Sequence, residues 1–399
     1  MTSAALAAQP LVGGRIGAAL SLAVLLCGSV CTGLVFVALV PVLPLLAAEY
    51  GGGDTGALFA QSVMTMPAIG LIAGGFGSAL MIRKFGATLL LMLGLALLGT
   101  SGAAAFGLHR GELLLASRLV LGFAASMVTI ATTALISARY EDITRARMIG
   151  IKGALGAVGS VAGIMIAGEL GDLGGWRLPN LLYLFGFVLL ALALATIPIT
   201  RPAVAAGGPT GSAMQAIRLL WPIYLMVIGF GVVLMMTNTQ LSFLLAEIGI
   251  TKPTEASRIL VVSSISSAIG GFLLGSLRQW IGIARVLPLA FACWGVGLLL
   301  LGFSHTALPA IIGSFLCGFA GGTFVPHMVA SLAGSAPVAL RDRAIALLYS
   351  AIFLGDFMNP LIIQPVSEAL TRHGAFKLVG GICILAAVIA FARVMRRPA

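Results

Sequence analysis

Charged residues are scarce in this chain. Asp, Glu, Lys and Arg make up 9% of it and hydrophobic residues 60%, whereas an average soluble domain carries about 25% charged residues. So much apolar surface cannot face water, so the solvent must be lipid. The five cysteines (Cys27, Cys31, Cys293, Cys317, Cys383) all fall in apolar runs, which leaves no loop pair for a disulfide framework. Cys27 and Cys31 stand one helical turn apart, but no His or Met-rich acceptor lies near them, so they read as small packing residues and no metal is expected. The Gly-Lys-Ser/Thr sequence that cradles phosphates is missing, which argues against ATP-driven work. No Ser/His/Asp constellation sits on the loops, and no loop is long enough for a soluble catalytic domain. An enzyme is therefore not expected, nor a cofactor.

What remains is a succession of apolar runs of roughly 20 residues, each long enough to cross a hydrocarbon core of about 30 Å. The runs are unbroken rather than alternating, so they are helices and not barrel strands. Twelve spans are expected, at about 17–41, 56–80, 87–107, 113–137, 148–168, 179–198, 219–245, 257–277, 285–303, 308–332, 344–366 and 375–393. The first is too long for a cleavable signal, lacks a small-residue cleavage site and runs into Pro41 and Pro44.

The chain repeats itself at half its length. LPLLAAEYG at 43–51 matches LSFLLAEIG at 241–249 in five of nine positions. RLVLGFA at 118–124 answers SFLCGFA at 314–320, and RARMIG at 145–150 answers RDRAIA at 341–346, both 196 residues apart. The Gly-, Pro- and Ala-rich stretch 199–216 follows the sixth span and reads as a flexible linker. The expected organisation is an N-terminal six-helix bundle over 1–198, a cytoplasmic linker over 199–216, and a C-terminal six-helix bundle over 217–399. Six spans per half insert both halves in the same direction, as parallel repeats enclosing one site do.

The net charge of +11 invites a nucleic-acid reading, but its placement argues otherwise. With the N-terminus inside, most of the 23 Lys and Arg residues fall on inner segments, Arg83, Lys84, Arg139, Arg145, Arg147, Arg278, Arg285 and Arg341 among them. Most acidic residues, including Glu49, Asp54, Glu247 and Glu368, fall on the other side. This positive-inside pattern puts both termini in the cytoplasm and expects no nucleic acid.

Several local signatures resemble the major facilitator superfamily over essentially the whole chain. Span one leaves through PVLPLLAAEYG; span four carries Arg118-x-x-x-Gly122; GGWRLPNLLY at 174–183 is similar to the common Gly-Trp-Arg turn before span six. The resemblance implies two six-helix bundles related by a pseudo-two-fold axis, an all-α membrane fold, and a secondary transporter of a bacterial inner membrane acting as a monomer. Its drug/proton antiporter branch is the nearest in character. The family's loop between spans two and three reads Gly-x-Leu-x-Asp-Arg-x-Gly-Arg-Arg. Here 79–88 keeps Lys84 and Gly86 but has Arg83 at the Asp position, and 275–284 keeps Gly275, Leu277 and Gly282 with Gln279 there. Arg83, Lys84, Gly86 and Gly282 are thus the expected gating residues, on a latch weaker than the family's or built differently. The Gly-rich fifth span (150–168) resembles that of the antiporters, but Ile164 replaces its proline, whose counterpart here is Pro360 in span eleven.

Three charges lie within spans: Arg118, Lys152 and Asp356. Each costs roughly 2.5–3.5 kcal/mol at the bilayer centre on insertion scales, so each invites a functional reading. Asp356 sits mid-span in FLGDFMNPL, and Tyr349, Asp356 and Asn359 share one helical face. It is the expected proton carrier, with recognition of a cationic substrate or a structural hydrogen-bond hub as alternatives. Arg118 would stabilise a substrate anion or tune a nearby carboxylate, or else anchor helix ends. Lys152 is expected to snorkel to the inner interface; otherwise it pairs with Asp356 or stands as a cavity cation. Asn238 and Gln240 in span seven point to nearly opposite faces, so at most one lines a cavity squarely. Gln61 in span two is a further candidate. With Tyr349, Asn359 and Lys152 these make up the substrate-binding set. His327 reads as packed rather than titrating. The pairs Gly70/Gly74 and Gly271/Gly275 read as close helix packing.

The expected function is alternating-access transport of a small organic solute with protons as the coupling ion, in the direction of efflux. The runner-up is uptake of an organic anion by symport or uniport. A non-transporting sensor or scaffold is the remote third.

Overall fold

A computed structural model of the chain describes residues 14–199, 213–337 and 340–395. Most of the expected linker, 200–212, lies outside them. Among the described residues the secondary structure is entirely helical, as lipid demands of a backbone whose every N–H and C=O must be satisfied within its own segment. Ten helical stretches are long and apolar enough to cross a membrane. Two of them, Ile143–Thr196 and Arg341–Met395, run 54 and 55 residues, or about 80 Å at 1.5 Å per residue, enough for two crossings each. The first is interrupted by a 3-10 segment, Gly175–Leu184. The second is kinked at Thr371, with φ 66 and ψ 162. Divided so, the stretches accommodate all twelve crossings.

Thr371 holds a backbone conformation that only glycine adopts freely. Its hydroxyl accepts the Gly374 N–H at 3.2 Å, capping the helix that follows.

Spans one and seven both break near the same end. Span one runs Gly14–Val37, passes through a 3-10 turn at Val40–Val42 and resumes as Leu43–Glu49. Pro41 lies in the turn and Pro44 in the first turn of the resumed helix, where a missing N–H costs little. Span seven runs Ala213–Thr239 and resumes as Leu241–Glu247, with Gln240 at the break.

The chain forms two compact units. One comprises Met1–Leu39 and Ser62–Gly208, the other Val40–Gln61 and Pro209–Ala399. The second unit thus takes in the end of span one and the start of span two, which the half-length division places with the first bundle.

Within each unit the crossings are set by glycine. In the first, a Cβ on Gly122 would strike the Pro67 carbonyl; in the second, a Cβ on Gly318 would strike that of Ser263. Both partners lie 196 residues apart, so the repeat in sequence is a repeat in geometry. Gly74 against Phe123 is matched by Gly270 against Phe319, and Gly33 against Gly156 and Ser160 by Gly231 against Ile352, Gly355 and Asp356. Gly70 and Gly74 are therefore close-packed as expected. Gly275 is not, since open space surrounds its Cβ position, and Gly271 makes only ordinary contact. The crossing residue is Gly270, one position earlier, because the 196-residue register carries Gly74 onto 270. Gly86 and Gly282 also correspond, with φ 82 and 83 at the turns that begin the next helix. In the second unit, Phe230 stacks on Phe324 at 3.6 Å between centroids with Trp294 edge-on, filling the space beside these crossings.

Gly122→Val and Gly318→Val should each lower thermal stability by several kcal/mol or abolish folding, because backbone is what they would strike. Gly275→Val should stay within about 0.5 kcal/mol of wild type. Thermal unfolding of purified protein separates these outcomes.

Candidate transport and coupling residues

Arg118 is buried in the first unit, 1% exposed. Its Nη2 donates to Asn180 Oδ1 at 2.5 Å. The Asn180 amide nitrogen is already committed to the Trp176 and Arg177 carbonyls, so its oxygen is left for the guanidinium. The Tyr183 ring lies 5.5 Å from the guanidinium carbon and is itself held by its hydroxyl donating to the Leu34 carbonyl at 3.2 Å. Arg118 Nε and Nη1 are buried without a hydrogen-bond partner among the described residues. The 3-10 geometry of Gly175–Leu184 is what brings Asn180 and Tyr183 to this cation.

Lys152 is 7% exposed and does not snorkel. Its Nζ donates to the Thr129 carbonyl at 3.1 Å and the Thr133 hydroxyl at 2.8 Å, both on span four, while Ser29 of span one donates to the Lys152 carbonyl at 2.6 Å. Two ready acceptors on a neighbouring helix hold the ammonium inside, where the sequence alone suggests an escape to the interface.

Asp356 is 2% exposed in the second unit, and its Oδ1 has no hydrogen-bond partner among the described residues. It occupies the place that Ser160 takes in the first unit. Ser160 satisfies itself by donating to the Gly156 carbonyl at 3.0 Å, which a carboxylate cannot do. Asn359, one turn on, accepts from the Thr239 hydroxyl and donates to the Val232 carbonyl, both at 2.7 Å. It is a strut between spans eleven and seven with both ends of its amide engaged. Tyr349 is 42% exposed, so the shared face predicted for Tyr349, Asp356 and Asn359 is buried only at its last two members.

A chain of three fully buried glutamines crosses the second unit. Arg372 Nη1 donates to Gln240 Oε1; Gln240 donates to Gln61 at 2.9 Å, and Gln61 to Gln364 at 2.9 Å. Gln364 then donates to the carboxylates of Asp54 and Glu368, both at 3.3 Å. At its origin Arg372 is ion-paired with Glu247 at 2.8 Å. Every amide points the same way, from guanidinium to carboxylates, so each bond polarises the next. The break in span seven at Gln240 and the kink at Thr371 place the first two members.

The sequence matches the model of the Major Facilitator Superfamily over residues 25–282 and again over 223–399. The chain belongs to the Major Facilitator Superfamily. Membership of this family indicates a transport role in a membrane rather than catalysis. Over 108 residues it is 32% identical to the methylenomycin A resistance protein of Bacillus subtilis (strain 168), covering 27% of this chain and 22% of that protein. The match thus spans about a fifth of that relative's length. Solved structures share the fold. The nucleoside transporter NupG superposes with a TM-score of 0.76 at 16% identity, over 94% of this chain and 100% of that one. A mutant of the peptide transporter POT in complex with alafosfalin does so with 0.77 at 14%, over 99% and 98%, and a D-xylose-proton symporter with 0.69 at 15%, over 94% and 96%.

In this superfamily member Asn238 is half-buried while Gln240 is fully buried, in keeping with their opposite directions. Arg83 and Lys84 are exposed, and Lys84 rests over the Phe85 ring at 5.2 Å. His327 is buried, with Nδ1 unpartnered among the described residues. Asn180, Tyr183 and Gln364 were not singled out from the sequence. Asn180 and Tyr183 lie inside the Gly-Trp-Arg signature, and Gln364 is a polar residue five past Asn359 in an apolar span; those were the available signals.

Gln61→Leu would strand a buried donor on Gln240 and a buried acceptor on Gln364. At about 1–3 kcal/mol for each group left unsatisfied, a loss of roughly 2–6 kcal/mol is expected in unfolding measurements. Gln364→Leu on that background should add less than it costs alone.

Proposed function

We propose that this transporter exports a small organic solute across a bacterial inner membrane in exchange for protons, with Asp356 as the proton carrier and Arg118 assisting it. The observation that carries this reading is the orphaned Asp356 oxygen in a buried, apolar stretch of span eleven. An isolated carboxylate there is costly to keep charged. A proton, or a cationic solute, must attend it for part of each cycle. The partial likeness to a resistance protein supports the outward direction. Both termini are assigned to the cytoplasm from the distribution of Lys and Arg, the organisation is two six-helix bundles joined by the 199–216 linker, and the working unit is a monomer. Arg83, Lys84, Gly86 and Gly282 are assigned to gating turns, the two glycines through their left-handed backbones. Asn238 and Tyr349, neither fully buried, are the members of the substrate set freest to meet a solute. Gln61, Gln240 and Asn359 would have to exchange present hydrogen bonds to do so.

Uptake of an organic anion is the second reading. It is favoured by Arg118, with two guanidinium nitrogens unpartnered among the described residues, and by Lys152, whose ammonium donates to neutral groups. The likeness of fold to a D-xylose-proton symporter supports keeping symport as the alternative.

In proteoliposomes, solute flux should follow an imposed pH gradient and collapse with a protonophore; flux indifferent to both sinks the exchange reading. Asp356→Asn should retain monodisperse folding yet lose gradient-driven flux by at least tenfold while still permitting solute exchange at equal pH. Normal coupled flux in that variant removes Asp356 from the role. Arg118→Ala should lower transport more than expression, whereas equal losses would mark it as a structural anchor.

A further inference from the structure

Spans nine and twelve of the second unit, Ile283–Gly302 and the final part of Arg341–Met395, leave an apolar groove between them with a volume of about 520 Å³. Its walls include Pro288, Leu289, Ala292, Val388 and Phe391, and its single charged residue is Arg285. The residues from Arg285 to Ala292 mark out about 10 Å of helix. Small side chains, Ala292 together with Ala387 and Ala392, keep the groove open. Arg285 stands three residues after the Gly282 turn, at the end of its span, and is exposed. It has no carboxylate partner among the described residues, where the ion pair of Arg372 with Glu247 involves other side chains. Trp280, 80% exposed, lies one residue before the groove's Ile281. An amphipathic indole at a span end marks the headgroup level of a bilayer. Arg393 directly follows Ala392 and is exposed, which adds a second positive charge to that end of span twelve.

We propose that this groove holds an acyl chain of an anionic phospholipid, with the lipid phosphate on Arg285. The apolar walls account for the chain, and the guanidinium of Arg285, the one charged residue in the groove lining, for the headgroup. Arg presents a planar fork that suits phosphate oxygens, and a basic residue at a span end attracts anionic lipid. Nothing in the transport proposal requires this site.

The test uses the full chain in detergent, titrated with phosphatidylglycerol and with phosphatidylcholine of the same acyl chains, and read by native mass spectrometry. Wild type should retain phosphatidylglycerol about fivefold more tightly, the worth of one basic residue near an anionic surface. Arg285→Gln should remove most of that preference, leaving at most the contribution of Arg393. Ala292→Phe, which fills the groove, should lose both, and Phe391→Ala should weaken both alike if Ala292→Phe folds poorly. Absence of preference in wild type, or persistence of the preference in Arg285→Gln, overturns the proposal. So does undiminished lipid in both groove variants, or displacement of the lipid by equimolar inorganic phosphate. A wild type that is dimeric where Ala292→Phe is monomeric would give the groove to a second copy of the chain and overturn it equally.

Discussion

Helices in lipid gain little from hiding apolar side chains from one another, because the lipid tails are as apolar as they are. Association must come from close contact, and here that contact is backbone on backbone at glycine. Gly122 lies against the Pro67 carbonyl, Gly318 against that of Ser263, and Gly231 against Ile352 and Gly355. A single methyl at any of these would force the helices apart. The aromatic packing of Phe230, Phe324 and Trp294, and the bonds that Asn359 and Thr239 exchange, all depend on the separation these glycines set.

Close approach also governs what happens to a polar group inside. The buried groups fall into two kinds. Asn359, Asn180, Ser160 and the three glutamines find partners, because neighbouring backbones or amides stand near enough to serve them. Arg118 and Asp356, and also His327, Ser78 and Ser367, keep buried atoms without a hydrogen-bond partner among the described residues. A protein that packs its helices this tightly has ample means to satisfy a polar side chain, as it does at Asn359 one turn from Asp356. Among the groups left wanting, Arg118 and Asp356 are the charges named in the transport proposal, which supplies them with a transient partner, a proton or a solute group.

Much of the fold was legible in the sequence, because spanning helices follow from hydropathy alone and the half-length echo follows from three short matches. The breaks in spans one and seven were half-legible: Pro41 and Pro44 announce the first, but Gln240 announces nothing. The site was read less fully. Asp356 and Arg118 stood out because a lone charge in an apolar run is visible without coordinates. The partners of Arg118 were not, since Asn180 and Tyr183 reach it through a 3-10 segment whose path no helical periodicity describes. Lys152 was misjudged for a related reason. Its depth is readable, but the Thr129 and Thr133 acceptors that hold it inward sit on another helix. Gln61, Gln240 and Gln364 come from three spans, and only their meeting reveals a chain.

The repeat makes the departures interpretable. Ser160 and Asp356 occupy matched places against Gly33 and Gly231, so the crossing itself cannot require a carboxyl; the first unit builds it with a hydroxyl. Arg118, held by Asn180 and the Tyr183 ring, likewise has as its second-unit counterpart Ser314, which satisfies itself on the Ala310 carbonyl. Packing is met twice by serine, while the charged versions each leave atoms unsatisfied. Retaining them costs stability that a serine would not cost, and duplication supplies the internal control that separates that cost from the demands of the scaffold. That difference is the ground on which the proposal gives Asp356, with Arg118, a part in transport.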